Sequence, residues 1–333
     1  MRHKLSVHWI LVIGVLSIML GSFVYGLAKP VNSTAKDSAS VSVRPGMTAD
    51  NIGNLLYEQD LINNVFAFRV VAKINGLDNT LKAGDYSFTK GMSMAQIVER
   101  LASGATERRQ ITIPEGYTVN QIAALIQEKQ FGDADKFKAL ARGYLPYSYM
   151  EGGTAVNYQV EGYIFPDTYQ FDKGVTEEQL LTMMVGEFDQ RLTPAMRARA
   201  RELGLSVREV VILASLVEKE ARFDSERPVI AGVFLNRLKS GMPLQSCATI
   251  QYILGYPKPE LSIQDTEIES PYNTYLHDGL PPGPIANPGL AAINAVLYPA
   301  NTRYLYFVAD QDGRHHFSTS YEEHLAAIEQ VQQ

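Results

Sequence analysis

The sequence predicts an α+β protein with a single N-terminal transmembrane helix, a small domain and a larger mixed α+β domain. Three observations carry this prediction: a long charge-free apolar run near the start, a strand–turn–helix pattern that occurs twice, and a later series of capped helices broken by Pro- and Gly-rich turns. With 333 residues, 46% of them hydrophobic, the chain is large enough for more than one core. We place the anchor at 1–28, a linker at 29–40, the small domain at 41–110 and the larger domain at 111–330.

The first element is the apolar run WILVIGVLSIMLGSFVYGLA, from Trp9 to Ala28, which contains no charged residue. A helix of about 20 residues is long enough to cross a bilayer. Arg2 and Lys4 precede the run, so the positive-inside rule places the N-terminus in the cytoplasm and the folded part outside it, in the periplasm of a Gram-negative cell. A cleaved signal peptide is the alternative, because Gly26-Leu27-Ala28 could serve as a cleavage site, but the run exceeds the usual apolar core of about 7 to 15 residues. We therefore expect an uncleaved single-pass anchor in the cell membrane.

Charge and cysteine content exclude several classes of function. A net charge of −6 and a pI near 5.6 give no basic face for nucleic acid. Cys247 is the only cysteine, so neither an intrachain disulfide nor a multi-cysteine metal site can form. The histidines lack the spacing of a helical metal site, and no nucleotide-binding or serine-hydrolase motif occurs. We expect no metal and no cofactor, and an uncharged or modestly charged polymer as the bound molecule.

The linker, Lys29 to Ser40, is small and polar, as is typical of a flexible tether. The segment VSVRPGMTADNIGNLLYEQ follows it, and ITIPEGYTVNQIAALIQEK superposes on that segment at an offset of 70 residues. Each copy predicts a short strand, a Gly turn, a Thr N-cap and an amphipathic helix. Between the copies we predict a strand around Tyr86 and a helix capped by Ser93. The small domain then has the order strand, helix, helix, strand.

The opening SVRPGMTADNI is similar to the IxVxxGxTxxxI opening of LysM domains. This resemblance implies a LysM-like domain that binds glycans containing N-acetylglucosamine. The alternative is that the pattern is only a common capped helix after a strand.

The larger domain begins with the second copy and continues through the aromatic, Pro-broken segment VEGYIFPDTYQF. Helices are predicted at 177–192, 193–203 and 206–222, and later over AAINAVLYP, before a strand at YLYFVAD. The rigid loop GLPPGPIANPG, 279–289, suits the wall of a cleft.

The predicted helix 206–222 contains LASLVEKEAR, in which two glutamates follow an apolar run. On a helical wheel with about 100° per residue, Glu218 extends the stripe formed by Val207, Val211 and Ala214. Glu220 lies about 160° away, so the two carboxyl groups cannot share one site on a regular helix. A carboxyl group on an apolar stripe is partly desolvated, which favours the protonated form that a general acid needs near neutral pH.

An alternative role for Glu218 stays open at this point. It could be structural, either capping the helix or pairing with an arginine such as Arg222 or Arg237. For Glu220 we expect a solvated or structurally paired side chain.

An ordered series of motifs points to a known family: EGYIFPDTY, LASLVEKEA, VFLNRL, PLQSCATIQY, PYNTY and GLPPGPIANPG. Their order and spacing resemble those of the YceG-like endolytic murein transglycosylase family from about residue 41 to 325. The resemblance implies cleavage of the β-1,4 bond between N-acetylmuramic acid and N-acetylglucosamine in nascent peptidoglycan strands, leaving 1,6-anhydromuramic ends. The larger domain is then the catalytic domain. Peptidoglycan strands would be the substrate, and membrane peptidoglycan synthases are implied as possible partners.

The family's catalytic glutamate is the first of its VEKE signature, which is Glu218 here. A glycosidase normally needs two carboxyl groups. In the implied reaction the C6 hydroxyl of the substrate replaces the second one, so a single glutamate suffices.

Motif position also suggests five residues that line the substrate site, although each could instead be a structural hydrogen-bonding residue: Asn236, Gln245, Ser246, Tyr252 and Asn273. The chain departs from the family at Cys247, where relatives often have Asp, and we do not assign Cys247 to the site.

Two rival functions remain open on the sequence alone. One is a muramidase that uses water, with Glu161 or Asp167 as the second carboxyl group. The other is a non-catalytic scaffold that binds peptidoglycan.

Overall fold

The computed structural model describes residues 14–15, 22, 26, 29–31, 37–106, 108–258 and 260–331. The chain divides into two compact units. The first ends at Arg109 and also includes Gln170–Gly174, and the second comprises Gln110–Tyr169 and the chain from Val175 onward. Helices and small sheets occur together, so the mixed α+β class is confirmed.

The predicted membrane helix, Trp9 to Ala28, lies almost entirely outside the described residues. Within the part of the chain that the structure describes, no helix has the length and apolar character needed to cross a bilayer.

The first unit contains β1 Ser38–Val43, α1 Ala49–Glu58, α2 Val65–Ile74, β2 Gly84–Thr89 and α3 Met94–Ser103. Strands β1 and β2 pair antiparallel, with Val41 opposite Tyr86. Alternate residues of both strands face the core, where they meet Phe68 of α2 and Ile97 of α3. Strand β1 starts inside the predicted linker because Ser38 pairs with Thr89 at the far end of β2.

The capping predictions for this unit are confirmed. Thr48 and Ser93 are N-caps with reciprocal capping boxes. Gly46 has φ of 84°, which a residue with a side chain rarely adopts. The predicted order contains a helix at this place, but no residues were assigned to α2, which Asn64 caps, because its β-branched and aromatic residues suit a strand equally well.

The remaining elements are β3 Arg108–Thr112, α4 Val119–Glu128, α5 Ala134–Gly143, β4 Thr168–Asp172, α6 Glu177–Arg191, α7 Pro194–Glu202, α8 Val207–Glu220, α9 Arg227–Lys239, α10 Cys247–Leu254, α11 Ile263–Thr266, α12 Leu290–Leu297, β5 Tyr306–Ala309, β6 His315–Ser318 and α13 Tyr321–Val331. Strand β3 pairs with β4, and β5 pairs with β6. The second copy of the repeated pattern has the predicted form, since Gly116 has φ of 73° and Thr118 caps α4.

Helix α8 lies at the centre of the second unit. Every residue from Val210 to Val217 is buried, because α9 and α12 both pack against the helix. The wheel predicted one apolar stripe, whereas the whole circumference is enclosed and only the ends are polar. The helix also ends earlier than predicted, since Ala221 is already extended. Glu218 therefore lies where a buried helix emerges from the core.

Candidate active site

The Glu218 side chain lies in the last turn of α8 and is only 6% exposed. Its Oε2 accepts a hydrogen bond from the backbone N–H of Gly289 at 3.0 Å. Its Oε1 is 3.2 Å from Nη1 of Arg227. The C-terminal turn of a helix is an unfavourable place for a carboxylate, because the helix dipole is negative there. These two partners, from other parts of the chain, hold Glu218 in place.

Arg227 is the first residue of α9 and is buried. Its Nε donates a hydrogen bond to Oδ1 of Asp224 at 3.0 Å. Its Nη1 has no aligned hydrogen-bond partner among the described residues, so its contact with Glu218 is a close ion pair. A buried cation with unused donor capacity thus stands beside the candidate catalytic carboxyl group.

The pairing of Glu218 with an arginine that the sequence left open does occur, but the partner is Arg227 and neither of the two suggested arginines. Arg222 donates to the backbone carbonyl of Asp312 instead, because α8 ends before it. Arg237 donates to the carbonyls of Leu244 and Leu305.

Glu220 is structurally paired rather than solvated. Its Oε1 accepts a hydrogen bond from the hydroxyl of Ser246, which is the N-cap residue of α10. Burial raises the pKa of Glu220, and the Ser246 hydrogen bond opposes that shift. The pair joins the end of α8 to the start of α10.

This arrangement changes the interpretation of Ser246, which motif position suggested as a substrate contact. Ser246 is buried, its hydroxyl is directed at Glu220, and its N–H donates to Oγ1 of Thr274. We assign it a structural role.

Asn236 and Asn273 also have internal partners. The Asn236 amide donates to the carbonyls of Thr302 and Tyr304, both at 3.0 Å. Asn273 is fully buried, and its amide donates to two backbone carbonyls in the segment 266–268. Amide hydrogens that are already used in this way hold loops together, so both residues have a structural role, and a substrate contact by either residue stays a prediction.

Gln245 and Tyr252 stay candidates for substrate contact. Gln245 is exposed and adopts φ of 50°, a strained conformation for a residue other than glycine. Tyr252 is half-buried and lines a cavity of about 140 Å³ together with Lys219, Gln251 and Tyr256. Lys219 directly follows Glu218, so this polar cavity opens beside the end of α8.

Glu161 is a buried residue, 1% exposed, whose carboxyl group lies against the first residue of α4. The N–H of Val119 donates to both of its oxygens, at 3.0 and 3.2 Å. The side chains of Asn287 and Tyr252 donate to it as well. Burial raises the pKa of Glu161 to about 8 in spite of these donors. An enclosed carboxyl group of this kind cannot activate water on a polymer, which weakens the two-carboxyl alternative.

The other carboxyl group of that alternative, Asp167, forms an ion pair with Arg191 at 3.0 Å. Cys247 is exposed at the surface, but its Sγ lies 3.1 Å from the hydroxyl of Tyr275 and partial desolvation raises the pKa of the thiol. A raised pKa disfavours the thiolate, so Cys247 is not an activated nucleophile.

The sequence interpretation missed Glu115, in the turn before α4. Oε1 of Glu115 lies where a Cβ on Gly289 would be, and the N–H of the same glycine donates to Glu218. Burial raises the pKa of Glu115, the negative charge of Glu218 raises it further, and Arg227 opposes both. A comparison of the two copies of the repeated pattern could have identified this residue. The second copy has the charged Glu115 where the first copy has the uncharged Pro45.

Comparison with known proteins identifies the family of this chain. The model of the YceG-like family matches residues 41–330. The chain belongs to the YceG-like family.

Two relatives with the name endolytic murein transglycosylase bear on the family's activity. The one from Bacillus subtilis strain 168 is 35% identical over 327 residues, covering 94% of this chain and 90% of the relative. The one from Streptococcus pneumoniae serotype 2 is 34% identical over 325 residues, covering 89% of this chain and 58% of the relative. This member of the YceG-like family is accordingly an enzyme of the lytic transglycosylase class.

The family fold is also known from a solved structure. The crystal structure of a YceG-like protein from Listeria monocytogenes superposes with a TM-score of 0.62 at 34% identity, covering 88% of this chain and all of that one.

Proposed function

We propose that the chain is a membrane-anchored endolytic lytic transglycosylase of peptidoglycan. It would cleave the β-1,4 bond between N-acetylmuramic acid and N-acetylglucosamine in nascent strands, form 1,6-anhydromuramic ends and so limit strand length. The observation that carries the proposal is Glu218, a carboxyl group at the emerging end of a buried helix, held by Gly289 and Arg227 beside a polar cavity.

In the proposed reaction, Glu218 first protonates the glycosidic oxygen, and the bond from that oxygen to C1 of the muramic sugar breaks. The oxygen of the C6 hydroxyl of the same sugar then forms a bond to C1. The proton of that hydroxyl passes to the Glu218 carboxylate, which restores the acid. No water is consumed, and Glu218 needs no second carboxyl group as nucleophile.

The Glu218→Gln variant tests this role, because glutamine keeps the size of the side chain and removes its acid function. We expect turnover of purified glycan strands to fall by about 10²- to 10⁴-fold with little change in substrate binding. Mass spectrometry of the parent's products should show anhydromuramic ends, lighter by one water than hydrated ends.

The rival functions predict other results. Reducing muramic ends in the parent's digest would identify a water-using muramidase. A parent and a Glu218→Gln variant that both leave the strands intact would indicate a non-catalytic scaffold.

For the first unit we propose a LysM-like role in holding the glycan. A groove of about 650 Å³ runs along this unit, and Thr48, Asp50, Phe66, Arg69 and Lys73 line it. The Phe66 ring is 62% exposed there, next to the ion pair of Arg69 with Asp50. An exposed ring with polar groups beside it suits the apolar face and hydroxyl edge of a sugar.

The proposal for the anchor rests on the sequence from Trp9 to Ala28. An anchored enzyme would act at the outer face of the membrane, where it could meet nascent strands and the synthases that make them.

A further inference from the structure

Glu115 and Glu218 approach the same backbone unit from different parts of the chain. Glu218 accepts a hydrogen bond from the N–H of Gly289. Oε1 of Glu115 occupies the space that a Cβ on Gly289 would fill. A side chain at position 289 would displace Glu115, so the glycine allows both carboxyl groups to lie there together.

The turn that carries Glu115 also packs on the end of α8. A Cβ on Gly116 would lie 3.6 Å from Cγ of Glu218 and 3.7 Å from Cδ of Lys219. The Lys219 ammonium group donates to the carbonyl of Gly116 at 3.4 Å. The position of Glu115 beside Glu218 is therefore set by backbone packing as well as by its own rotamer.

Four charged groups surround the candidate acid. Arg227 is in ion-pair contact with it and Lys219 follows it on the helix, while Glu115 and Asp224 are negative. Arg227 also holds Asp224, through its Nε. Arg227 also lowers the pKa of Glu115, and the Glu115 carboxyl group lies beside the Gly289 backbone, whose N–H donates to Glu218.

A general acid must carry its proton before it reacts. A neighbouring cation such as Arg227 favours the ionised carboxylate instead. A neighbouring negative charge offsets the effect of the cation. The negative charge of Glu218 raises the pKa of Glu115 in this way.

We propose that Glu115 is a positioning residue that acts through Glu218: its carboxyl group, held beside Gly289, offsets the positive charge of Arg227 and so keeps the proton of the acid available for the glycosidic oxygen. The inference rests on the proposed function and extends it, because it gives the single catalytic carboxyl group a partner that never bonds to the sugar. Glu115 acts through its charge alone, so no further reactant is required.

The test is the pH profile of kcat/KM on purified glycan strands for the parent, Glu115→Gln and Glu115→Asp. Loss of the negative charge in Glu115→Gln should move the alkaline limb to lower pH by about one unit, and turnover at neutral pH should fall by about 10-fold. Glu115→Asp keeps the negative charge, so the alkaline limb of its pH profile should lie at the same pH as in the parent. Glu128→Gln is the matched control, since it removes an exposed carboxyl group from α4 and should leave the profile unchanged.

A purely structural role for Glu115 would lower activity or melting temperature without moving the limb. A folded Glu115→Gln variant with the parent's alkaline limb overturns the inference. Carbon-13 NMR of the glutamate carboxyl groups in the parent gives a second readout that does not depend on the folding of a variant. Coupled two-step titration of Glu115 and Glu218 is expected, and independent single steps would contradict it.

The two proposals fail in different ways. An active Glu218→Gln variant, or a parent that makes no anhydromuramic ends, defeats the proposed function. Anhydromuramic products from the parent, an inactive Glu218→Gln variant and an unshifted Glu115→Gln profile defeat the role of Glu115 alone.

Discussion

Glu161 is a buried carboxyl group whose ionisation affects the stability of the fold. Its pKa is raised to about 8 by burial, well above the usual value of about 4.3 for an exposed glutamate. A carboxyl group with a raised pKa in the folded state stabilises the fold below its unfolded pKa, and this contribution is lost as pH rises through the folded value. We therefore expect the free energy of unfolding to decline between about pH 5 and 8.

The Glu161→Gln variant should remove that decline. Glutamine is neutral throughout, its carbonyl can accept from Val119 and Asn287, and its NH₂ can donate to the oxygen of Tyr252. Urea unfolding at pH 5 and pH 8 should show a smaller difference between the two pH values than in the parent. Glu128→Gln serves as the control, and a variant with the parent's full slope would assign the pH dependence to other groups.

At the scale of single residues, the sequence located the candidate acid but not its surroundings. The wheel placed Glu218 on the apolar side of its helix, and the structure encloses it. The sequence could not identify Arg227 as the partner of Glu218, because the turn between α8 and α9 determines which arginine lies beside the end of α8. It could not separate Ser246, Asn236 and Asn273 from substrate contacts, because a polar side chain in a motif looks the same whether its partner is a sugar or a backbone carbonyl.

At the scale of elements, capping chemistry was the most reliable guide. Thr48, Ser93, Thr118 and Ser206 each start a helix with a capping box. The enclosure of α8 was not predictable from its own residues, because α9 and α12 come later in the chain and cover its other faces. Local chemistry determines where a helix begins, and packing decides which of its residues are buried.

Close packing around α9 leads to a paired prediction. Gly232 lies within α9, and a Cβ there would lie 2.8 Å from the backbone oxygen of Ala300, which cannot rotate away. Gly232→Ala should lower the free energy of unfolding by about 1 to 3 kcal/mol. Gly186, inside α6, has open space around its Cα, so Gly186→Ala should raise that free energy by about 0.5 to 1 kcal/mol.

Denaturant unfolding monitored by circular dichroism compares the two variants directly. Both replace a helical glycine with the same residue, so helix propensity cancels between them. Changes of the same sign and size would show that the backbone at Ala300 yields, and that the approach of α9 to this loop is not a tight constraint.

At the scale of the whole molecule, the chain uses one local pattern twice. Both copies form a strand, a glycine turn and a Thr-capped helix. In the first copy Thr48 lines an open groove, whereas in the second the turn carries Glu115 to the end of α8. The offset of 70 residues predicts the shared backbone form. The two copies differ in role because they differ at single positions, as where the first has Pro45 and the second Glu115, and because their turns pack against different parts of the chain.

If the groove of the first unit holds glycan, strand binding and bond cleavage should be separable by mutation. Phe66→Ala removes the exposed ring from the groove, and we expect affinity for insoluble peptidoglycan to fall by about 3- to 10-fold. The value of kcat should stay unchanged, because Glu218 and its partners all belong to the other unit. Tyr57→Ala is the matched control, since Tyr57 is a similarly exposed aromatic residue of the same unit outside the groove.

A pull-down of purified peptidoglycan measures the affinity, and strand cleavage at saturating substrate measures kcat. Equal binding by the Phe66 and Tyr57 variants would remove the groove from consideration as a glycan site. A fall in kcat with unchanged binding would instead mean that the first unit supports the catalytic centre and not the substrate. Either result would assign the first copy of the pattern a role different from glycan retention, while the test of Glu218 would stand unaffected.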